Sequence, residues 1–99
     1  MKKIQMIVDE YLTNRDVYSV EIALQKIVRL TTKENYMDIV HYINTHKNAT
    51  QELDLTMYLN DIACKEYLDL EIIITDKLKT YRDKDAIDDL EKALKKINS

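Results

Sequence analysis

The 99-residue sequence contains no glycine, no proline, no phenylalanine and no tryptophan. A chain of this length and average composition carries about a dozen glycines and prolines together. Without glycine, the sequence cannot form the Gly-rich loops that bind the phosphates of nucleotides and dinucleotides. The tight turns of β-hairpins also become harder to form, because a positive φ then has to come from asparagine or aspartate. These absences favour a protein built from helices.

Positive charge, cysteine and long apolar runs are also scarce. The net charge of −3 does not favour general binding to nucleic-acid phosphates. The one cysteine, Cys64, has no partner for an intramolecular disulfide, which favours a reducing compartment. The first residues lack the apolar stretch of a signal peptide, and no apolar run approaches the length of about 18 residues that a membrane span needs. We therefore expect a cytoplasmic protein without a membrane segment.

Apolar residues recur with the period of an α-helix in nearly every segment. The sequence therefore predicts an all-α fold, an antiparallel bundle of four to five helices forming one domain over residues 1–99. Within the first half of the chain, the predicted inward faces carry Ile4, Ile7, Val8, Tyr11 and Leu12, then Val17, Val20, Leu24, Ile27 and Val28, and then Tyr36, Val40 and Ile43.

One long helix is predicted over residues 50–81, with Thr50 as its N-cap. An apolar stripe advances along it in steps of three and four residues for about six turns. The stripe consists of Leu59, Ala63, Tyr67, Leu70, Ile74, Leu78 and Tyr81. A last helix follows, with Asp83 or Asp85 as its N-cap.

The same segment also permits a β interpretation. Apolar residues alternate with a period of two at Leu53, Leu55, Met57 and Leu59, and again at Leu68, Leu70, Ile72 and Ile74. Three consecutive isoleucines are typical of a strand, since β-branched residues favour extended backbone. Two strands inside the region 50–81 are therefore an open alternative to the long helix.

The three isoleucines also bear on assembly. On a helix, Ile72, Ile73 and Ile74 point in three different directions, and a single packed side cannot bury all of them. Either several helices surround this turn, or a second copy of the chain does. We expect a homodimer with these three residues at its interface.

Acidic residues dominate the region 52–76, where seven acids face a single base, Lys65. Asp54, Asp61, Asp69 and Asp76 project opposite the apolar stripe of the long helix and would line its outer face. A one-sided acidic surface steers association with a basic partner. A solvated face that only keeps the protein soluble is the other interpretation.

All seven aromatic residues are tyrosines, which combine apolar area with a polar group and suit interfaces. Tyr18, Tyr42 and Tyr58 fall outside the main apolar stripes and are predicted to be exposed. The candidate partner-binding residues are Asp54, Tyr58, Asp61, Lys65, Asp69, Asp76, Tyr18 and Tyr42.

A short motif opens the same region. The segment Thr50-Gln51-Glu52-Leu53-Asp54 resembles the Ser-Gln-Glu-Leu-Asp motif of the Spo0E-like aspartyl-phosphate phosphatases, small helical hairpins, with four of five residues identical. The resemblance implies a functional role for Asp54. The family's apolar residue two places later is Thr56 here, its following tyrosine is Asn60, and the hairpin spacing is missing.

No residue pattern specifies catalysis or metal binding. Glu34, Asp38 and His41 share one helix face in the carboxylate-x-x-His arrangement of half a di-metal site, but no second such helix exists. Cys64 has no histidine on its own segment to activate it as a nucleophile. We expect no enzyme activity, no cofactor and no metal.

Two function classes remain after these exclusions. The first is a small non-enzymatic bacterial or phage protein that binds and inhibits or neutralises a macromolecular partner with a basic surface, as immunity and anti-defence proteins do. The second is a transcriptional or phosphorelay regulator, either Spo0E-like or with a helix-turn-helix between residues 37 and 70. The scarcity of bases in that segment argues against nucleic acid as the partner.

Overall fold

The computed structural model describes residues 2–13, 17–48 and 51–99, and the side chains of these residues except those of 17–21. Within these ranges the chain forms six helices and no strand, so the predicted all-α fold is confirmed while the helix number is higher than four to five. The helices are α1 (Lys2–Thr13), α2 (Val17–Leu30), α3 (Tyr36–His46), α4 (Glu52–Ile62), α5 (Leu70–Thr80) and α6 (Lys84–Asn98).

The six helices divide into two compact units, Met1–Gln51 and Glu52–Ser99. The first unit contains α1 to α3, and the second contains α4 to α6. The single domain over residues 1–99 stays a prediction.

In the first unit, α1 packs against both α2 and α3. The contacts form because each helix has an apolar face at the spacing that the sequence predicts. The buried residues are Ile4, Val8, Tyr11 and Leu12 of α1, Ala23, Leu24 and Ile27 of α2, and Tyr36, Ile39, Val40 and Ile43 of α3.

A buried glutamine closes the first unit. The side-chain nitrogen of Gln51 donates to the carbonyl oxygen of Leu12 at 2.8 Å, near the end of α1. Its side-chain oxygen accepts a hydrogen bond from the backbone nitrogen of Asn48 at 2.9 Å. Gln51 therefore ties the segment after α3 to the last turn of α1, whose carbonyls have no partner within the helix.

The predicted long helix over 50–81 is wrong. Its N-cap Thr50 lies outside the described residues, α4 ends at Ile62, and α5 begins at Leu70. Between them the chain turns, with hydrogen bonds from the nitrogens of Tyr67, Leu70 and Glu71 to carbonyls three residues earlier.

Length explains the break. A helix of 32 residues would extend about 48 Å, whereas the 15 residues of α6 extend about 22 Å. The short helix α6 packs against both α4 and α5. Because the predicted rod is broken between α4 and α5, apolar residues of both helices can pack against α6. The alternative with two strands is also wrong, because both segments are helices and turns.

The second unit has α6 at its centre, packed against α4 and α5. The buried face of α6 carries Ala86, Leu90, Ala93 and Ile97. The carboxylate of Glu52 accepts hydrogen bonds from the backbone nitrogens of Arg82 at 2.9 Å and Asp83 at 3.0 Å. This side chain therefore fixes the α5–α6 connection to the first turn of α4.

Candidate partner-binding surface

Four of the predicted partner-binding residues are exposed: Asp61, Lys65, Asp69 and Asp76. Because the long helix is broken, they do not lie along one rod. Asp61 belongs to the last turn of α4, Lys65 to the turn after it, Asp69 to the N-cap position of α5, and Asp76 to α5 itself. Asp69 makes no capping hydrogen bond with its side chain.

Asp54 is only 4% exposed, so the prediction that it lies on an outer acidic face is wrong. Its neighbours Leu55 and Thr56 are both fully buried. Successive helical residues are about 100° apart, so these three span about 200° of α4. Within α4 only Asp61 is exposed, so the predicted acidic face does not continue along this helix.

The predicted exposed tyrosines differ from expectation as well. Tyr58 is fully buried in α4, and its predicted exposure is therefore wrong. Tyr42 is half-buried, and its hydroxyl donates to Asp9 Oδ1 at 2.8 Å, which joins α3 to α1. This hydrogen bond, with some burial and the carboxylate charge, raises the pKa of Tyr42. The side chain of Tyr18 lies outside the described residues.

The three isoleucines of α5 have three different environments. Ile72 is 77% exposed, Ile73 is half-buried, and Ile74 is fully buried. Ile74 is therefore a core residue, and its predicted place in a dimer interface is wrong. One turn before Ile72, Leu68 is 58% exposed.

Leu68 and Ile72 belong to a continuous surface, which we call the α5 face. It borders a shallow cavity of about 590 Å³ and consists of Leu68, Glu71, Ile72, Thr75, Asp76 and Lys79. Successive members are adjacent or three residues apart, which places the five members within α5 on one side of this helix, and Leu68 lies in the turn just before it. Sequence reasoning singled out Ile72 and Asp76 but missed the other four. The sequence signal that could have identified these four residues is their helical spacing with Ile72 and Asp76. The apolar stripe from Leu59 to Tyr81 is the stronger pattern in the same segment.

Two acidic residues, Asp61 of α4 and Asp89 of α6, lie near each other where α4 packs on α6. Partial burial raises the pKa of Asp61, and the nearby Lys96 ammonium partly opposes this rise. The pKa of Asp89 is raised in the same way by burial, against the opposing charge of Lys92. Lys96 Nζ donates to the carbonyl oxygen of Asn60 at 2.7 Å. Asp61 therefore lies at the edge of the contact between α4 and α6 and remains exposed.

The remaining chemistry-bearing residues do not converge. Among the described residues, no group of three or more histidine, cysteine or acidic side chains is placed to hold a metal ion, and this includes Glu34, Asp38 and His41. Cys64 is a half-buried free cysteine in the turn after α4. None of the helices in the described ranges has both the length and the apolar character to cross a bilayer.

Comparison with known proteins adds no family. No family model, no curated protein and no solved structure matches the chain.

Proposed function

We propose that the chain is a non-enzymatic interaction protein whose α5 face binds a macromolecular partner with a basic and partly apolar surface. The observation that carries this proposal is the exposure of Leu68, just before α5, and of Ile72, four residues later in α5. Large exposed hydrophobic side chains are rare in the described residues, where the only other one is Met6. Two of the three therefore lie together on the α5 face.

The charges around this apolar pair specify the chemistry of the partner. Glu71 and Asp76 lie beside Ile72, and the exposed Asp69 precedes them at the start of α5. Burial of exposed apolar side chains supplies affinity, while peripheral acids steer a cationic surface and disfavour an anionic one. A partner that offers lysine or arginine around an apolar patch satisfies both requirements.

The biological role that we propose is inhibition or neutralisation of this partner, as in bacterial immunity or phage anti-defence proteins. Small size, a net charge of −3 and the lack of a residue pattern for catalysis support this role.

The regulator alternatives gain no structural observation in their favour. Asp54, which the Spo0E-like resemblance marks as functional, is almost fully buried. The helices that a helix-turn-helix would pair, α3 and α4, belong to different compact units.

Binding of defined probes tests the proposal directly. The probes are a fluorescent amphipathic peptide of leucine and lysine, its leucine–glutamate counterpart, and a labelled DNA duplex, each titrated with the protein and followed by anisotropy. We expect binding of the lysine peptide in preference to both anionic probes, with an affinity that falls as salt rises. Preferential binding of the duplex contradicts the proposal and favours the regulator.

Two variants locate the binding surface. We expect Asp69→Lys with Asp76→Lys, and separately Ile72→Ser, to weaken binding of the lysine peptide at least tenfold. The matched control reverses two exposed acids elsewhere, Glu34→Lys with Glu91→Lys, and has the same net charge as the first variant. If the control weakens binding as much as the α5 variants do, net charge and not the α5 face determines binding.

A further inference from the structure

The first unit carries a groove between α1 and α2 that the proposed function does not use. Its volume is about 580 Å³, within the usual range of about 300–1,000 Å³ for binding pockets. Met6, Ile7 and Leu30 form its apolar part, and Met6 is 68% exposed. The charged residues at its rim are Lys3, Glu10, Lys26 and Arg29. We call this surface the α1–α2 groove.

The α1–α2 groove and the α5 face are complementary. Three cations and one anion surround the groove, whereas Glu71 and Asp76 accompany one cation, Lys79, on the α5 face. The groove is mostly positive and the α5 face mostly negative. The single residue of the other sign on each surface, Glu10 in the groove and Lys79 on the α5 face, is opposite as well. Each surface also has exposed apolar side chains, and together the two hold all three of the large exposed hydrophobic residues in the described ranges.

We propose that the α1–α2 groove binds the α5 face of a second copy of this chain. Leu68 and Ile72 of one copy pack on Met6 and its apolar neighbours in the other, while Lys26 and Arg29 pair with Glu71 and Asp76. Every copy carries both surfaces, so each contact between two copies joins a groove of one to an α5 face of the other.

The α5 face is the same surface that carries the proposed function, and the second copy of the chain is a second occupant for it. Self-association covers the acids that a basic partner needs, so partner and second copy compete for the same surface. The competition keeps Ile72 covered when no partner is present. The test uses the purified protein alone, so its result is independent of whether the lysine peptide binds.

Paired charge reversals test this complementarity. One variant reverses the groove, Lys26→Glu with Arg29→Glu, and another reverses the α5 face, Glu71→Lys with Asp76→Lys. In either variant alone, the groove and the α5 face carry the same sign of charge. In a mixture of the two variants, the negative groove of the first meets the positive α5 face of the second. The negative α5 face of the first likewise meets the positive groove of the second. All four positions are exposed or half-exposed, so the substitutions leave the core unchanged.

Sedimentation equilibrium up to about 1 mM protein suits the weak association that a small interface gives. We expect the unaltered chain to self-associate more weakly at high salt, and each variant alone to associate at least tenfold more weakly. Mixing the variants restores association, and the fourfold reversal on one chain restores it as well. A chain that remains monomeric at this concentration, or variants that do not recover on mixing, overturns the proposal.

Discussion

At the residue scale, Tyr81 connects packing to a measurable titration. Its side chain is half-buried at the C-cap of α5, and burial raises its pKa to about 12, with a further contribution from the Glu52 carboxylate. An unfolded tyrosine has a pKa of about 10. At a pH between about 10 and about 12, the Tyr81 hydroxyl keeps its proton in the folded chain and loses it in the unfolded chain.

The free energy of unfolding should therefore fall as pH rises from about 10 to about 12. Urea denaturation at several pH values in this window measures the slope, and Tyr81→Phe should make it shallower. Absorbance titration of the phenolates should show an ionisation at about 12 that is lost in Tyr81→Phe. Glu52→Gln should lower that pKa, because it removes the charge that opposes ionisation. Equal slopes for Tyr81→Phe and the unaltered chain would contradict the assignment.

Single residues also show where sequence reasoning reaches its limit. The inward faces of α1 and α3 were predictable, because their apolar residues form one stripe against a polar remainder. Asp54 and Tyr58 were not, since α4 is buried on more than one side and polar residues there no longer mark a surface. Tyr42 is half-buried rather than exposed as predicted, and its hydrogen bond to Asp9 joins residues 33 positions apart, which no local pattern encodes.

At the element scale, the start of α6 shows a local signal that the fold retains. Asp83 is the N-cap of α6, and its carboxylate accepts hydrogen bonds from the backbone nitrogens of Asp85 at 2.8 Å and Ala86 at 3.2 Å. The sequence predicted Asp83 or Asp85 in this role, and the geometry selects Asp83. The two nitrogens belong to the first turn, where no helical carbonyl is available to them.

Replacing this cap should weaken the whole second unit, because α6 is the helix on which both α4 and α5 pack. We expect Asp83→Ala to lower the free energy of unfolding by about 1 kcal/mol, the usual value of an N-cap side chain. Urea denaturation followed by circular dichroism measures the change. Asp83→Asn provides the control, since asparagine caps about as well as aspartate. A loss of equal size in both variants would mean that charge rather than capping matters.

The break between α4 and α5 was beyond local prediction for a reason at the same scale. The stripe from Leu59 to Tyr81 keeps helical spacing straight through the turn, and neither glycine nor proline marks the interruption. Helix propensity is a weak tendency that tertiary packing overrides. In the described residues no φ is positive, so these turns form without the left-handed conformation that glycine favours. The amino-acid composition therefore does not mark where α4 ends and α5 begins.

At the scale of the whole molecule, the two compact units are similar in length but differ in net charge. Residues 1–51 contain seven bases and six acids, whereas residues 52–99 contain eight bases and twelve acids, so the formal charges are +1 and −4. The cation-rimmed groove lies in the first segment and the acidic α5 face in the second. This asymmetry was visible in the sequence, but the apolar residues that accompany each charge became apparent only with the helix packing.

From the sizes of the two compact units, we expect them to unfold as one cooperative domain. The compact units contain 51 and 48 residues, and a chain of about 60 residues already buries only about 60% of the surface that it exposes when unfolded. A core of that size rarely contributes more than about 3–5 kcal/mol of stability. We therefore expect the fragment 52–99, prepared alone, to be less helical and to unfold at lower urea than the full chain.

Hydrogen exchange of the full chain gives the decisive comparison. Ile43 in α3 and Leu90 in α6 are both fully buried, one in each unit. In one cooperative domain, the slowest amides around both residues exchange only through global unfolding and therefore report the same free energy. We expect Asp83→Ala to lower both values by the same amount. If only the value at Leu90 falls, the units unfold separately, and the chain consists of two domains rather than one.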